Sequence, residues 1–406
     1  MTTTIPSSVR RIPEPNYPNF PAEEIAARCR RMRELMAEEG IDLLLLTEKE
    51  NVVYFSGLSS CAWVQKGVVP AVVLLHVDTD EPVMLLPDFW LGTAEKTTWY
   101  QDFVLHHASH SDPNDFVNLV VSTIRERGWG SGRIGYEAGH EMLMGLPIAQ
   151  WEHLRGQLDA PFVPAGEPIW RVRMIKSPLE VERLRRASVV TNTAHEVLRD
   201  SLRVGMLETE AGAIFRRAQL QDDVDEQDHF FLNMRSGRDR YSMTDTFPKR
   251  RPLGRGEIFV VDGGILLAGY ASDTARVIAI GEPSELHASV YRTVIAAKHA
   301  ALSKLKAGVP ASELYRAVRG VFDDAGLPVH IDMVGHGLGL DTHEPPMLSP
   351  VNDAPLEENM VINIEPWVTL PDDQGVLVIE DTFVVTADGY DELTIPHADE
   401  LWVVDR

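Results

Sequence analysis

Along the first part of the chain, apolar positions alternate between helical and strand spacing. Over residues 22–39, Ile25, Cys29, Met32 and Met36 recur every three or four positions, which predicts an amphipathic helix. The unbroken run IDLLLLT, residues 41–47, predicts a buried strand. AVVLLHV and PVMLLP then predict a hairpin-like pair around residues 78–81. A helix over 115–127 and a strand at RIGYE, 133–137, complete an α/β domain assigned to residues 1–165. Its first 20 residues, rich in Pro, Ser and Thr, read as an extended lead-in.

PAGEPIW, residues 164–170, reads as a linker to a second domain over 171–406. That domain opens with a helix signal: Ser177 can cap, Pro178 suits the first turn, and Glu180 completes a capping box. The helix should run to about residue 202, with others over 209–221, 284–306 and 311–325. Strand patterns cover 258–280, NMVINIEPWV and GVLVIEDTFVVT. Long helices beside a largely antiparallel sheet make this part α+β.

Carboxylates interrupt the apolar strand runs. VVDGGILLAGYASDTAR, residues 260–276, carries Asp262 and Asp273 in apolar company, where an unpaired buried charge is costly. A turn at Leu267 and Ala268 would place the two directly opposite, with side-chain roots about 5 Å apart. Near the C-terminus, PDDQG signals a turn at Asp372 and Asp373 that sets Glu365 opposite Glu380. Both hairpins need positive charge between close anionic oxygens, and two divalent ions would balance the four carboxylates. Paired ions about 3.5–4 Å apart activate water and polarise a carbonyl. VGHGLGLDTHEPP adds His336, set between glycines, and His343 seven residues on. An oxygen-rich set with imidazole and no soft sulfur suits manganese, iron(II), cobalt or zinc. The glycine run at 335–339 is no phosphate loop, since no lysine accompanies it and no helix follows.

Composition narrows the partners. The chain is 406 residues long, 44% hydrophobic and 24% charged, a globular balance. No apolar run is long enough to span a bilayer, and the N-terminus lacks the apolar core of a signal peptide. The only cysteines, Cys29 and Cys61, offer no disulfide scaffold, which fits a cytoplasmic location. A formal charge of −23 argues against nucleic acid and anionic membranes as partners. The basic run Lys249-Arg250-Arg251 and the HHASH stretch, 106–110, read as surface loops.

The acidic and histidine motifs closely resemble the pita-bread family, which includes methionine aminopeptidase, Xaa-Pro aminopeptidase, Xaa-Pro dipeptidase and creatinase. Asp262 matches the family's D-x-G aspartate, Asp273 the S-D-x-T-R aspartate and His336 the G-H-G-x-G histidine. Glu365 matches the x-x-E-P glutamate and Glu380 the x-E-D-T glutamate. The resemblance implies a pita-bread catalytic domain behind a creatinase-type N-terminal domain. It also implies a two-metal site in which Asp273 and Glu380 bridge the ions, and a His343 that contacts the substrate carbonyl. Two departures stand out. Where peptidases of the family carry a histidine 18–21 residues before the first metal aspartate, this chain reads YSMT, Tyr241 to Thr244, and the nearest upstream histidine is His229. Where Xaa-Pro enzymes have arginine two residues before the last glutamate, this chain has Val378.

The resemblance therefore implies a two-metal hydrolase of a peptide or other amide C–N bond, nearest to Xaa-Pro dipeptidase or aminopeptidase. Glu365 would relay a proton and His343 would stabilise the oxyanion. An alternative keeps the fold but takes a small metabolite, as in ectoine hydrolases or dimethylsulfoniopropionate lyases, with Tyr241, Thr244, Asp245 or Asp341 contacting it. A non-enzymatic binding module is the remaining alternative. The prolidase branch also implies a homodimer, with apolar residues near Phe55, Trp63 and Val69 reaching the partner.

Overall fold

A computed structural model describes residues 14–61, 71–107, 112–220, 227–328, 331–395 and 399–405. Most of the N-terminal lead-in, Trp63, Val69 and His110 lie outside the described residues. Contacts divide the chain into two units, Met1–Val172 and Arg173–Arg406.

The first unit contains α1 (Ala22–Glu39), β1 (Leu43–Leu46), α2 (Lys49–Ser56), β2 (Val72–His76), β3 (Val83–Pro87), α3 (Leu91–Thr97), β4 (Asp102–His106), α4 (Asp115–Glu126), β5 (Ile134–Tyr136), α5 (Ile148–Gln157), β6 (Phe162–Pro164) and α6 (Gly166–Arg173). Its mixed sheet runs β4-β3-β2-β1-β5-β6. The LLLL run of β1 is fully buried at the sheet's centre, antiparallel to β2 and parallel to β5. α1 stops where Gly40 takes a φ of 66°, a left-handed cap that glycine adopts cheaply. The expected linker at 164–170 is instead the end of β6 and most of α6. Pro and Gly there begin the helix, and Ile169, Trp170 and Val172 bury one helical face. Phe55 is fully buried in α2, so it is core and presents no surface to a partner. His106 ends β4 rather than lying in a loop, and His107 pairs with Asp88 at 2.8 Å.

The second unit contains α7 (Pro178–Ser201), α8 (Glu208–Gln219), β7 (Gln227–Ser236), β8 (Glu257–Leu267), β9 (Tyr270–Ala271), β10 (Thr274–Ile280), α9 (Glu285–Leu302), α10 (Ala311–Asp324), β11 (Gly335–Gly337), β12 (Val361–Ile364), β13 (Trp367–Thr369), β14 (Val376–Val378), β15 (Asp381–Val385), β16 (Tyr390–Glu392) and β17 (Trp402–Val404). The capping box forms as expected, with Ser177 accepting from Glu180 N–H and Glu180 accepting from Ser177 N–H. One sheet runs β17-β10-β8-β7, a second runs β11-β12-β15-β16, and β13 pairs with β14. Val260, Val277, Tyr291, Val318, Ile362 and Phe383 belong to a single buried cluster that ties both larger sheets to α9 and α10.

Register decides where the carboxylates meet. In the second hairpin Trp367 faces Val378 and Ile364 faces Asp381, so Glu365 and Glu380 fall opposite each other as expected. The first hairpin differs. Asp262 faces Ala275 rather than Asp273, because the turn lies at Ala268 and Gly269, one residue later than expected. Gly269, at φ 82°, takes the left-handed conformation without strain and draws the turn to itself. The resulting two-residue offset leaves both aspartates on one face, since side chains alternate with period two.

Ala268 shares that turn at φ 49°, where a side chain costs about 1 kcal/mol. Asparagine is favoured there before glycine. Ala268→Asn should therefore raise stability by about 0.5–1 kcal/mol, read as a higher urea midpoint. A lower midpoint would contradict the turn's position.

Candidate metal centre

Each acidic side chain reaches the centre from a different piece of backbone. Asp262 projects from mid-β8, and Asp273 from the step between β9 and β10. Glu365 leaves the end of β12, and Glu380 directly precedes β15. His336 sits in β11, opposite Asn363. Gly337 beside it is forced by space: a Cβ there would run into the backbone oxygen of Pro345.

Ligand atoms of Asp262, Asp273 and Glu380 lie within 4.8 Å of one another, as do those of His336, Glu365 and Glu380. A third such group joins Asp273, His336 and His343. His336 Nε2 is 3.4 Å from Glu365 Oε1, 3.4 Å from Glu380 Oε1 and 3.9 Å from Asp273 Oδ2. Its Nδ1 lies 3.0 Å from the Gly337 carbonyl, a bond that puts a proton on Nδ1 and turns Nε2 toward the carboxylates, where it can ligate once it gives up its own proton.

Asp273, His336 and Glu380 are buried, Asp262 and Glu365 half-buried. Among the described residues, Asp262 Oδ1, Asp273 Oδ1, Glu365 Oε1 and His336 Nε2 have no hydrogen-bond partner. Burial, reinforced by the Glu380 charge, pushes Asp262 up to about 7 and Glu365 up to about 8. The same two causes, with Asp262 next, hold Asp273 well above the carboxylate range. For His336 burial opposes the charge, but Glu380 and Glu365 outweigh it and raise the ring to about 9. Four converging carboxylates that repel one another, with orphaned oxygens and a free imidazole nitrogen, fit divalent cations and little else.

A layer of paired charges fixes the backbone around this centre. Asp381 is fully buried between Arg276 at 2.6 Å and Lys298 at 3.0 Å. Arg276 also donates to the Glu380 carbonyl at 2.8 Å, and Asn363 Nδ2 donates to Glu380 Oε1 at 2.8 Å. The sequence reading gave Arg276, Asp381 and Asn363 no part in the site. A signal existed, since cation and anion stand directly beside the motif residues in SDTAR and IEDT.

The expected substrate contacts fare unequally. The His343 ring is exposed and lies 4.2 Å from the His336 ring, centroid to centroid. Burial and then the His336 charge lower its pKa, which favours the neutral form. Tyr241 is no substrate contact: it is 3% exposed within the core, and its hydroxyl accepts from Ile258 N–H at 2.7 Å. Thr244 is exposed, two residues beyond the turn at Tyr241 and Ser242. Asp245, exposed with φ 49°, stands close enough to influence Asp262, Glu365 and His343 electrostatically. Asp341 is half-exposed, with Arg173 at 3.9 Å. His229 falls within β7, in register with Ile265.

The family model described as metallopeptidase family M24 matches residues 182–387, and that of the creatinase/prolidase N-terminal domain matches residues 28–175. The Xaa-Pro dipeptidase of Lactobacillus helveticus is 28% identical over 374 residues, covering 91% of this chain and 96% of that protein. Among solved structures, an Xaa-Pro dipeptidase from Bacillus anthracis matches with a TM-score of 0.81 at 24% identity, covering 94% of this chain and 100% of that one. An X-Pro aminopeptidase from Thermotoga maritima matches with a TM-score of 0.78 at 25% identity, covering 93% and 99%.

Proposed function

The chain belongs to metallopeptidase family M24, and from that membership we propose that it hydrolyses the amide bond of Xaa-Pro dipeptides or short Xaa-Pro peptides. The fold is a pita-bread catalytic part preceded by a creatinase-type part. The observation that carries the reading is the set of four buried ligand atoms without hydrogen-bond partners among the described residues, on Asp262, Asp273, Glu365 and His336. With Glu380, these residues would hold two divalent ions. When bound, the ions supply the Lewis acidity that activates water and polarises the scissile carbonyl.

The chain's own groups do the rest. Glu365 takes a proton from the attacking water and passes it to the leaving nitrogen. His343, neutral and exposed beside His336, donates a hydrogen bond to the oxygen that gains negative charge. Manganese is the metal of choice for a set dominated by oxygen donors, with iron, cobalt or zinc as substitutes. Free Cys29 and Cys61 fit a cytoplasmic enzyme, and homodimer assembly completes the proposal.

One observation favours a second reading, a small-metabolite substrate. Asp245 brings a carboxylate beside the centre, a feature suited to a substrate with a cationic group. A single panel separates the two. After chelation and reloading with manganese, cobalt, zinc or iron(II), the protein is offered Ala-Pro, Leu-Pro, longer Xaa-Pro peptides and dipeptides without proline. The expected result is turnover of Xaa-Pro substrates that vanishes on chelation and returns with metal. Two bound ions with no turnover of any peptide would refute the peptidase reading and leave the metabolite reading standing.

A further inference from the structure

Asp262 is held by more than its own strand. Its Oδ2 accepts from Asn233 Nδ2 at 3.3 Å, and Asn233 is the residue directly opposite it on β7. Asn233 is pinned in turn through its other end. Its Oδ1 accepts from Thr246 N–H at 3.2 Å and from Arg235 Nη1 at 3.4 Å. An amide whose oxygen meets two donors has one orientation, so its NH2 must face the carboxylate. Arg235 lies two residues along β7 and so shares this face. It is 2% exposed, and its Cζ lies 5.4 Å from the ring centroid of Trp367. Trp367 is in turn the partner of Val378 across the β13–β14 ladder. A cation therefore approaches Trp367 from β7.

Arg235 is expensive to keep here. Burial disfavours its charge, with Asp262 and then Asp245 opposing that effect, and its Nε has no hydrogen-bond partner among the described residues. Asp262 meanwhile has one oxygen engaged by Asn233 and the other, Oδ1, buried and without a hydrogen-bond partner among the described residues. We infer that Asn233 and Arg235 are positioning residues acting in series, which hold the Asp262 carboxylate in one orientation toward a cation. This rests on the proposed role of Asp262 as a metal ligand. A carboxylate fixed beforehand loses less freedom on ligation than one that can rotate, so the relay should appear in metal affinity before it appears in chemistry.

The experiment titrates Mn²⁺ calorimetrically into the chelated full chain, with thermal melting as the check on folding. Asn233→Ala should weaken binding about 10–100-fold. Arg235→Met should weaken it less, and Arg235→Lys should fail to restore it, because a point charge cannot orient the amide as a guanidinium fork does. The double variant should bind no worse than Asn233→Ala alone, since both changes act through one amide. If Arg235→Met melts without cooperativity, Arg235→Lys and Asn233→Ser decide the question. Wild-type affinity in Asn233→Ala, full rescue by Arg235→Lys, or additive losses in the double variant would each overturn the relay. Failure of the wild type to bind Mn²⁺ would overturn the ligand assignment and the relay with it.

Discussion

Asp273→Asn is expected to lose tight metal binding and turnover together. The site's cations supply several kcal/mol of transition-state stabilisation, so kcat/KM should fall by about 10³-fold or more. Asp273 is 3% exposed, and its ligand atoms fall into both a carboxylate group with Asp262 and Glu380 and a histidine group with His336 and His343. An amide keeps the shape but removes the charge offered to the cations. The same change should have the opposite effect on the metal-free protein. There Asp273 is buried against Glu380, Asp262 and Glu365, which hold its pKa far up. Removing one carboxylate relieves that repulsion, so the chelated variant should melt above the chelated wild type. Adding Mn²⁺ should reverse the order, because only the wild type gains binding energy. Calorimetric melting with and without Mn²⁺ reads both signs. Unchanged activity, or a chelated variant that melts lower, would refute the charge-crowded site.

That crossover follows from a feature partly legible in the sequence. Asp262, Asp273, Glu365 and Glu380 stood out because strand runs do not carry acids without cause, and period-two arithmetic placed them in pairs. The arithmetic succeeded where the turn was strongly marked. Asp372 and Asp373 take φ values of 56° and 51°, and the register follows. It slipped where two adjacent residues could each have opened the turn, and Gly269 decided the outcome. The long strand β7 escaped notice because its polar residues, Asn233 and Arg235, face Asp262 and break the apolar pattern. Tyr241 was misread for the converse reason. Its hydroxyl serves the backbone of Ile258, a pairing across seventeen positions that no local pattern encodes. Spacing reveals groups on one strand or hairpin. Partners brought from other elements, such as Lys298 on α9 to Asp381, need the fold.

Glu344→Gln should cost about 3–5 kcal/mol of stability, because it leaves two buried cations facing a neutral group. The Glu344 side chain is 1% exposed and receives Arg173 at 2.5 Å and Lys176 at 3.2 Å. It also accepts from the backbone of Leu340 at 2.9 Å and Asp341 at 3.3 Å, closing the loop that carries His343. Burial would raise its pKa, but Arg173 and then Lys176 hold it down to about 2. The native group thus binds its proton more weakly than the unfolded chain does. Its contribution is complete above the unfolded carboxylate value of about 4.3 and fades as pH falls toward the native value, a change of about 3 kcal/mol. Urea unfolding should show the wild type losing stability through that acid window and the variant following a flatter line. Activity should fall as well, by about 100-fold for a displacement of His343 on the order of 1 Å. Metal binding should survive, since His336 and the four acidic side chains stand on strands or beside them, outside this loop. A variant that loses its metal but keeps its acid profile would show that Glu344 braces the centre itself rather than the loop bearing His343.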